Sequence, residues 1–288
     1  MAKDSVATTA RLRRVEGKHN ALVKALRQAF ARAELTASDE CAIEGVRIIE
    51  EAIRSGLKFR AVFFSESAQA RAPKLLPQIH SQVETLLLPD RLFASAVPSD
   101  SPQGVAALVY MKKFKLEEIL AGDLGPLLVI AGVQDPGNLG TILRSAEAFG
   151  AQGVLLGEGT VSPYNSKAVR ASAGSIFRVM TTRVQIADAL QQTRARGFRL
   201  LATSSHKGDT LAATNLSGNL TVFIGNEGSG LEKKLLAQMD ALIMIPHSPR
   251  VESLNAGVAA SIILYEAARQ REATVPAHLQ THASFEGQ

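Results

Sequence analysis

Tryptophan is absent from this 288-residue chain, tyrosine occurs three times and cysteine once. A lone cysteine closes no intrachain disulfide, and Cys41 has no Cys or His neighbour at metal-ligand spacing, so it reads as a small buried hydrophobe. No metal site is expected. No stretch approaches the roughly 20 apolar residues that cross a bilayer, and residues 1–10 lack the apolar segment of a secretory signal. The expectation is a cytoplasmic protein without membrane contact. Apolar residues make up 46% of the chain and charged ones 20%, which excludes wholesale disorder and a fibrous fold. The net charge of +5 is concentrated: residues 1–35 hold eight basic side chains (Lys3, Arg11, Arg13, Arg14, Lys18, Lys24, Arg27, Arg32) against three acids. Such a patch suits a nucleic-acid phosphate backbone, and it equally suits a solvated helix face.

The length accommodates two domains. Apolar-periodic runs at 21–30, 42–53, 61–64, 85–88 and 105–110 predict a small α/β domain, residues 1–117. Residues 111–126, charged and then ending in Gly and Pro, form the connection, with the boundary near Glu118. From Leu127 the pattern restarts as LLVIAGV, GVLLG, RLLAT, TVFIG and ALIMI, separated by helical stretches. Near-continuous apolar strands between helices predict a parallel sheet covered on both faces, over 118–271. The tail, 272–288, has no apolar period and is expected to be disordered.

Ligands of open parallel sheets bind beyond the carboxyl ends of the strands, so the loops that follow the strands are where chemistry is sought. Three are unusual. The first, Gln134 to Arg144, leads into a helix with Leu139, Ile142, Leu143, Ala146 and Phe149 on one face, Asn138 as the expected N-cap and Gly150 as the C-terminal glycine. Arg144 projects away from the apolar stripe. The second, Gly225-Asn226-Glu227-Gly228-Ser229-Gly230, has three glycines that let backbone approach a ligand closely. It lacks the Lys of a nucleotide-binding P-loop, which disfavours nucleoside triphosphates. The third, Ile245 to Asn255, precedes an apolar helix that Ser253 is expected to cap; His247 reads as loop structure. Local capping explains Ser253 and Asn138 singly, but not three polar loops ending three strands.

These blocks, N-x-G-x-x-x-R, G-N-E-G-x-G and I-P-x-x-x-x-x-x-S-L-N in that order, resemble the SpoU family of RNA ribose methyltransferases over residues 118–270. The first domain resembles the substrate-binding domain related to kink-turn-binding ribosomal proteins, through Gly17-Lys18-His19-Asn20, Glu44-Gly45 and Ser101-Pro102-Gln103-Gly104. The resemblance implies an α/β domain with a deep trefoil knot, S-adenosylmethionine as cofactor, and RNA as partner; the separate first domain, suited to recognising a folded loop by shape, tilts the reading toward ribosomal RNA, with transfer RNA as the alternative. It implies a homodimer too, to which Ile262, Ile263 and Leu264 are candidates to contribute. Arg144 matches the arginine that activates the 2′-hydroxyl, and Asn138, Glu227, Ser253 and Asn255 match the remaining catalytic motif positions. Gly225, Ile245 and Leu254, with Gly228 and Gly230, would hold the cofactor. Arg11, Arg13, Arg14, Lys18, His19 and Lys24 would contact RNA. Two positions depart from the family: Pro249 stands where Gly is usual and His247 where Met is frequent. A non-catalytic RNA-binding protein and a base methyltransferase are the competing readings.

Overall fold

The computed structural model describes residues 11–122, 125–226 and 228–274. The predicted tail beyond residue 274 lies outside them, as does Lys3. Contacts divide the chain into two compact units. One takes the described residues up to Lys113 together with Val161–Arg178; the other takes Phe114–Thr160 and the described residues from Val179 onward.

The first unit is built on a mixed sheet of order β1-β4-β3-β5-β2, comprising β1 (Arg13–Arg14), β2 (Glu40–Glu44), β3 (Phe59–Ser65), β4 (Glu84–Leu88) and β5 (Val105–Tyr110). The run read from Ala42 to Ile53 is two elements: β2 and a helix Val46–Arg54 meet at Gly45, whose φ of 101° is open to glycine and costly for other residues. Asn20 accepts hydrogen bonds from the Leu22 and Val23 amides and so starts the helix Ala21–Arg32. That helix buries Val23, Leu26 and Ala29, at spacing three, in the same cluster as Phe63, Leu86 and Leu108. Cys41 lies inside β2, and its complete burial pushes the thiol pKa up to about 12, so it packs as the hydrophobe its sequence context suggests.

The second unit is a seven-stranded sheet in which every recorded pairing is parallel, in the order β10-β12-β9-β11-β6-β7-β8. Its strands are β6 (Leu127–Ile130), β7 (Gly153–Leu156), β8 (Thr181–Arg183), β9 (Arg199–Thr203), β10 (Asp209–Thr210), β11 (Leu220–Ile224) and β12 (Ala241–Met244). β6, β7 and β11 are buried at every position, as continuous apolar runs require. Because the strands share one direction, the loops after β6, β9, β11 and β12 all emerge at the same edge, and β11 lies directly between β6 and β9.

The helix Pro136–Ala148 buries Leu139, Ile142, Leu143 and Ala146 and leaves Arg144 exposed, and Gly150 follows it at φ 63°. Its N-cap is Asp135 and not Asn138: the Asp135 carboxylate accepts the Asn138 amide at 2.8 Å, with Pro136 pre-set in the first helical position. The helix Ala256–Thr274 packs on it closely. The Ser145 and Ser261 hydroxyls meet at 2.7 Å, and a Cβ at Gly257 would stand only 3.1 Å from Thr141 Cβ. Asn255 caps this helix in place of the expected Ser253, its Oδ1 accepting the Val258 amide at 3.2 Å. Of the three residues named as candidates for a dimer interface, Ile263 and Leu264 are fully buried within this chain and only Ile262 is exposed; the spacing of three to four that forms the exposed stripe joins Ile262 to Val258 and Tyr265.

Candidate active site

Three of the four loops at that edge enclose a cavity of about 570 Å³, lined by Thr203–His206, by the glycine turn after β11 and, from the third loop, by Ile245, His247, Glu252, Ser253, Leu254 and Ala256. Ile263 of the last helix closes the apolar side. Gly225, Gly228, Gly230, Ile245, Ser253 and Leu254, all singled out from the sequence, line it. The glycine at 225 is a steric requirement, since a Cβ there would fall 2.5 Å from the Gly230 carbonyl carbon. The turn stays shut because Asn226 Oδ1 accepts the amides of Gly228 at 2.8 Å and Ser229 at 3.2 Å. Glu227, between them, lies outside the described residues.

The fourth loop, after β6, stands outside the cavity wall and is tied to it at two places. Asn226 Nδ2 donates to the Gly132 carbonyl at 2.7 Å, and Asn255 Nδ2 donates to Asn138 Oδ1 at 2.7 Å. The second bond follows from the capping shift: with Asp135 serving as N-cap, the Asn138 carboxamide is left to face Asn255. One Asn255 amide therefore caps the last helix with its oxygen and grips the first loop with its nitrogen. Arg144, about two turns along the helix that Asp135 caps, makes no hydrogen bond or ion pair among the described residues. An exposed guanidinium, always protonated, is thus held near the polar edge with all five donors available.

The basic start is less uniform than its sequence suggests. The Arg11 guanidinium donates to the carbonyls of Leu76, Ile79 and His80, Arg13 pairs with Glu84 at 3.1 Å, and Arg14 pairs with Glu16 and Glu66. Lys18, His19 and Lys24 are exposed and make no ion pair among the described residues. The Glu44-Gly45 and Ser101–Gly104 segments do come together: Glu44 accepts from the Ser99 hydroxyl at 2.6 Å and from the Gln103 amide at 3.3 Å.

Sequence reasoning passed over part of the wall. His206 and His247 both line the cavity with ring centroids 6.4 Å apart, and His247 Nδ1 lies 2.8 Å from the Ile245 carbonyl. The strand-end rule that picked out three loops points equally to the one after β9, which carries His206. Pro249 is not among the lining residues.

A parallel α/β sheet whose strand-end loops enclose a glycine-lined cavity of mixed polar and apolar wall has room for a nucleoside-sized cofactor. Glu252 is the single acid among the described lining residues, and it suits a ligand that carries positive charge. Nothing among the described residues is clustered to hold a metal ion, and no helix there is long and apolar enough to cross a membrane. These features suit a bulky cofactor that carries positive charge. The SpoU rRNA methylase family model matches residues 125–265, and the MRM3-like substrate-binding domain model matches residues 20–107. An uncharacterised tRNA/rRNA methyltransferase of Synechocystis is 34% identical over 88% of this chain and 92% of its own length. The 23S rRNA (guanosine(2553)-2′-O)-methyltransferase RlmP of Bacillus subtilis is 29% identical over 88% of this chain and 98% of its own. The AdoMet-bound rRNA methyltransferase of Sinorhizobium meliloti superposes with a TM-score of 0.79 at 26% identity, covering 92% of this chain and 100% of that one. The chain belongs to the SpoU rRNA methylase family, and it is an S-adenosylmethionine-dependent RNA methyltransferase.

Proposed function

We propose that the protein methylates the ribose 2′-hydroxyl of a nucleotide in 23S ribosomal RNA. The observation that carries this reading is the 2.7 Å bond from Asn255 to Asn138, which joins the cofactor wall to the helix bearing Arg144. S-adenosylmethionine supplies an electrophilic methyl on a sulfonium, so the acceptor needs activation and the donor does not. A sugar hydroxyl is a poor nucleophile at neutral pH, and a cation beside it favours the developing alkoxide. Arg144 provides that charge and orients the acceptor with its planar fork, and an RNA phosphate takes the remaining donors. Asn138 and Asn255 hold the loop so that the acceptor and the cavity mouth stay aligned. Ser253 and Glu227 are assigned to orienting the ribose and the cofactor in this reading, and Ile245 and Leu254 hold the cofactor together with the glycines.

The first unit supplies the grip on RNA, with Lys18, His19 and Lys24 as the exposed contacts and Arg11, Arg13 and Arg14 stabilising the surface that presents them. The relatives named for 23S rRNA favour a ribosomal substrate. Tritiated methyl transfer to unmodified 23S rRNA and to tRNA, followed by nucleoside digestion and mass spectrometry, tests the proposal. A 2′-O-methylnucleoside in 23S rRNA is expected; label confined to tRNA, or on a base, overturns it.

The exposed stripe Val258, Ile262 and Tyr265 is proposed to be the face of a homodimer formed by the knotted region that the resemblance implies. Tyr265 meets Phe149 edge to face at 5.8 Å, so the stripe continues onto the neighbouring helix. Tyr265→Asp is expected to shift the sedimenting species from dimer to monomer at micromolar concentration. A wild-type monomer under the same conditions removes the dimer reading.

A further inference from the structure

We infer that Thr160 and Asn226 are positioning residues that keep the cofactor turn, 225–230, in register with the loop that leads to Asn138 and Arg144. The inference rests on the methyltransferase reading of this site and concerns Thr160, which lies outside the three motifs, and Asn226, which lies within the second but was given no role by it.

Both polar groups of Gly132 are taken. Its amide donates to Thr160 Oγ1 at 3.0 Å, and its carbonyl accepts from Asn226 Nδ2 at 2.7 Å. Gly132 sits at φ 76°, a conformation that glycine adopts without strain and other residues rarely do, so the chain can turn there and its direction is set by the two bonds. Three residues later comes Asp135, the cap that starts the helix carrying Asn138 and Arg144. On the other side, Asn226 is the residue that closes the glycine turn through the Gly228 and Ser229 amides. A displacement of the glycine turn is therefore passed to Gly132 by one side chain, and Thr160 resists it from behind.

A purely structural role for Thr160 is the competing account. Its hydroxyl donates to the Ile130 carbonyl at 2.9 Å, but that carbonyl already receives the Gly157 amide at 2.8 Å, so the sheet does not need the hydroxyl. What the hydroxyl alone contributes is the acceptor for Gly132. Thr160 is buried, and its own carbonyl accepts from Arg183 at 3.2 Å, so the brace is anchored to the β8 edge of the sheet and does not move with the loop. The bond from the Ala131 amide to the Ile224 carbonyl, 2.8 Å, is the point at which β6 and β11 part. Beyond it, alignment of the two loops passes to Asn226 and Gly132.

Thr160→Val, which removes the hydroxyl and keeps the shape, is expected to lower kcat roughly tenfold to a hundredfold, in line with the cost of about 1 Å of misplacement. KM for RNA and the calorimetric Kd for S-adenosylmethionine are expected to stay within about threefold. Thr160→Ser is expected to recover kcat, because it retains the acceptor. Asn226→Ala lies in an exposed turn, is expected to fold, and should lower kcat while also raising the cofactor Kd. Because both residues act on Gly132, the double variant is expected to fall no more than about threefold below the worse single one. The inference is overturned if Thr160→Val retains kcat, if Thr160→Ser is as impaired as Thr160→Val, or if the two losses multiply. Should Thr160→Val melt below the assay temperature, kcat of Asn226→Ala at saturating cofactor decides, and wild-type rates there overturn the inference. A wild-type protein that methylates no RNA in the same assay would instead defeat the methyltransferase reading itself.

Discussion

Arg144→Ala is expected to lower single-turnover methyl transfer by roughly 10²- to 10³-fold, the scale of a lost electrostatic donor at about 3–4 kcal/mol, while leaving cofactor affinity unchanged. The division follows from position: Arg144 is exposed on the helix Pro136–Ala148 and is absent from the residues lining the cavity. Its substitution also has little structural cost, since it forms no described hydrogen bond or ion pair to break. Arg144→Lys is expected to recover only a small part of the rate, because an ammonium offers charge without the planar fork that can address a ribose oxygen and a phosphate together. Rapid-quench assays with tritiated cofactor, alongside calorimetry, separate the two quantities. Unimpaired transfer by Arg144→Ala would remove the guanidinium from the mechanism.

The second large effect falls on binding. Gly225→Ala is expected to raise the Kd for S-adenosylmethionine tenfold or more, at least about 1.4 kcal/mol. The new Cβ would meet the Gly230 carbonyl carbon at 2.5 Å, its oxygen at 2.7 Å and the Leu231 amide nitrogen at 2.8 Å. All three are backbone, so no side chain can swing aside and the turn itself must open. Opening it also draws on the Asn226 bonds that shape the cavity floor. Calorimetric titration against wild type reads the change directly; an unaltered Kd would mean that the turn does not form the cofactor floor.

The sheet was legible where burial on both faces imposes uninterrupted apolar runs, as in β6, β7 and β11. It was illegible at β8 and β10, whose sequences Thr-Thr-Arg and Asp-Thr carry no apolar pattern because they lie at the sheet edges. The helix starts were displaced by two or three residues, and for a physical reason. Asp135, Asn138, Ser253 and Asn255 are all competent caps, and only the backbone's exit angle from the preceding loop decides which carboxyl or amide reaches the free amides. Pro136 was the overlooked clue, since proline favours the first helical position and so points to Asp135. Composition counted Arg11 toward a phosphate-binding patch, yet its guanidinium is engaged by carbonyls 65 or more residues away. Thr160 illustrates the limit from the other side: its partners are backbone atoms of Ile130 and Gly132, and a bond to backbone leaves no trace in residue identity.

The Asn255–Asn138 bond spans 117 residues of sequence, and this separation sets an order in time. The Arg144 helix is synthesised more than a hundred residues before Asn255 is added. A nascent chain that has reached only β12 lacks the last wall of the cavity, the cap of the final helix and the amide that aligns the first loop. The two loops are therefore aligned only late in synthesis, once the last wall of the cavity and the cap of the final helix are in place.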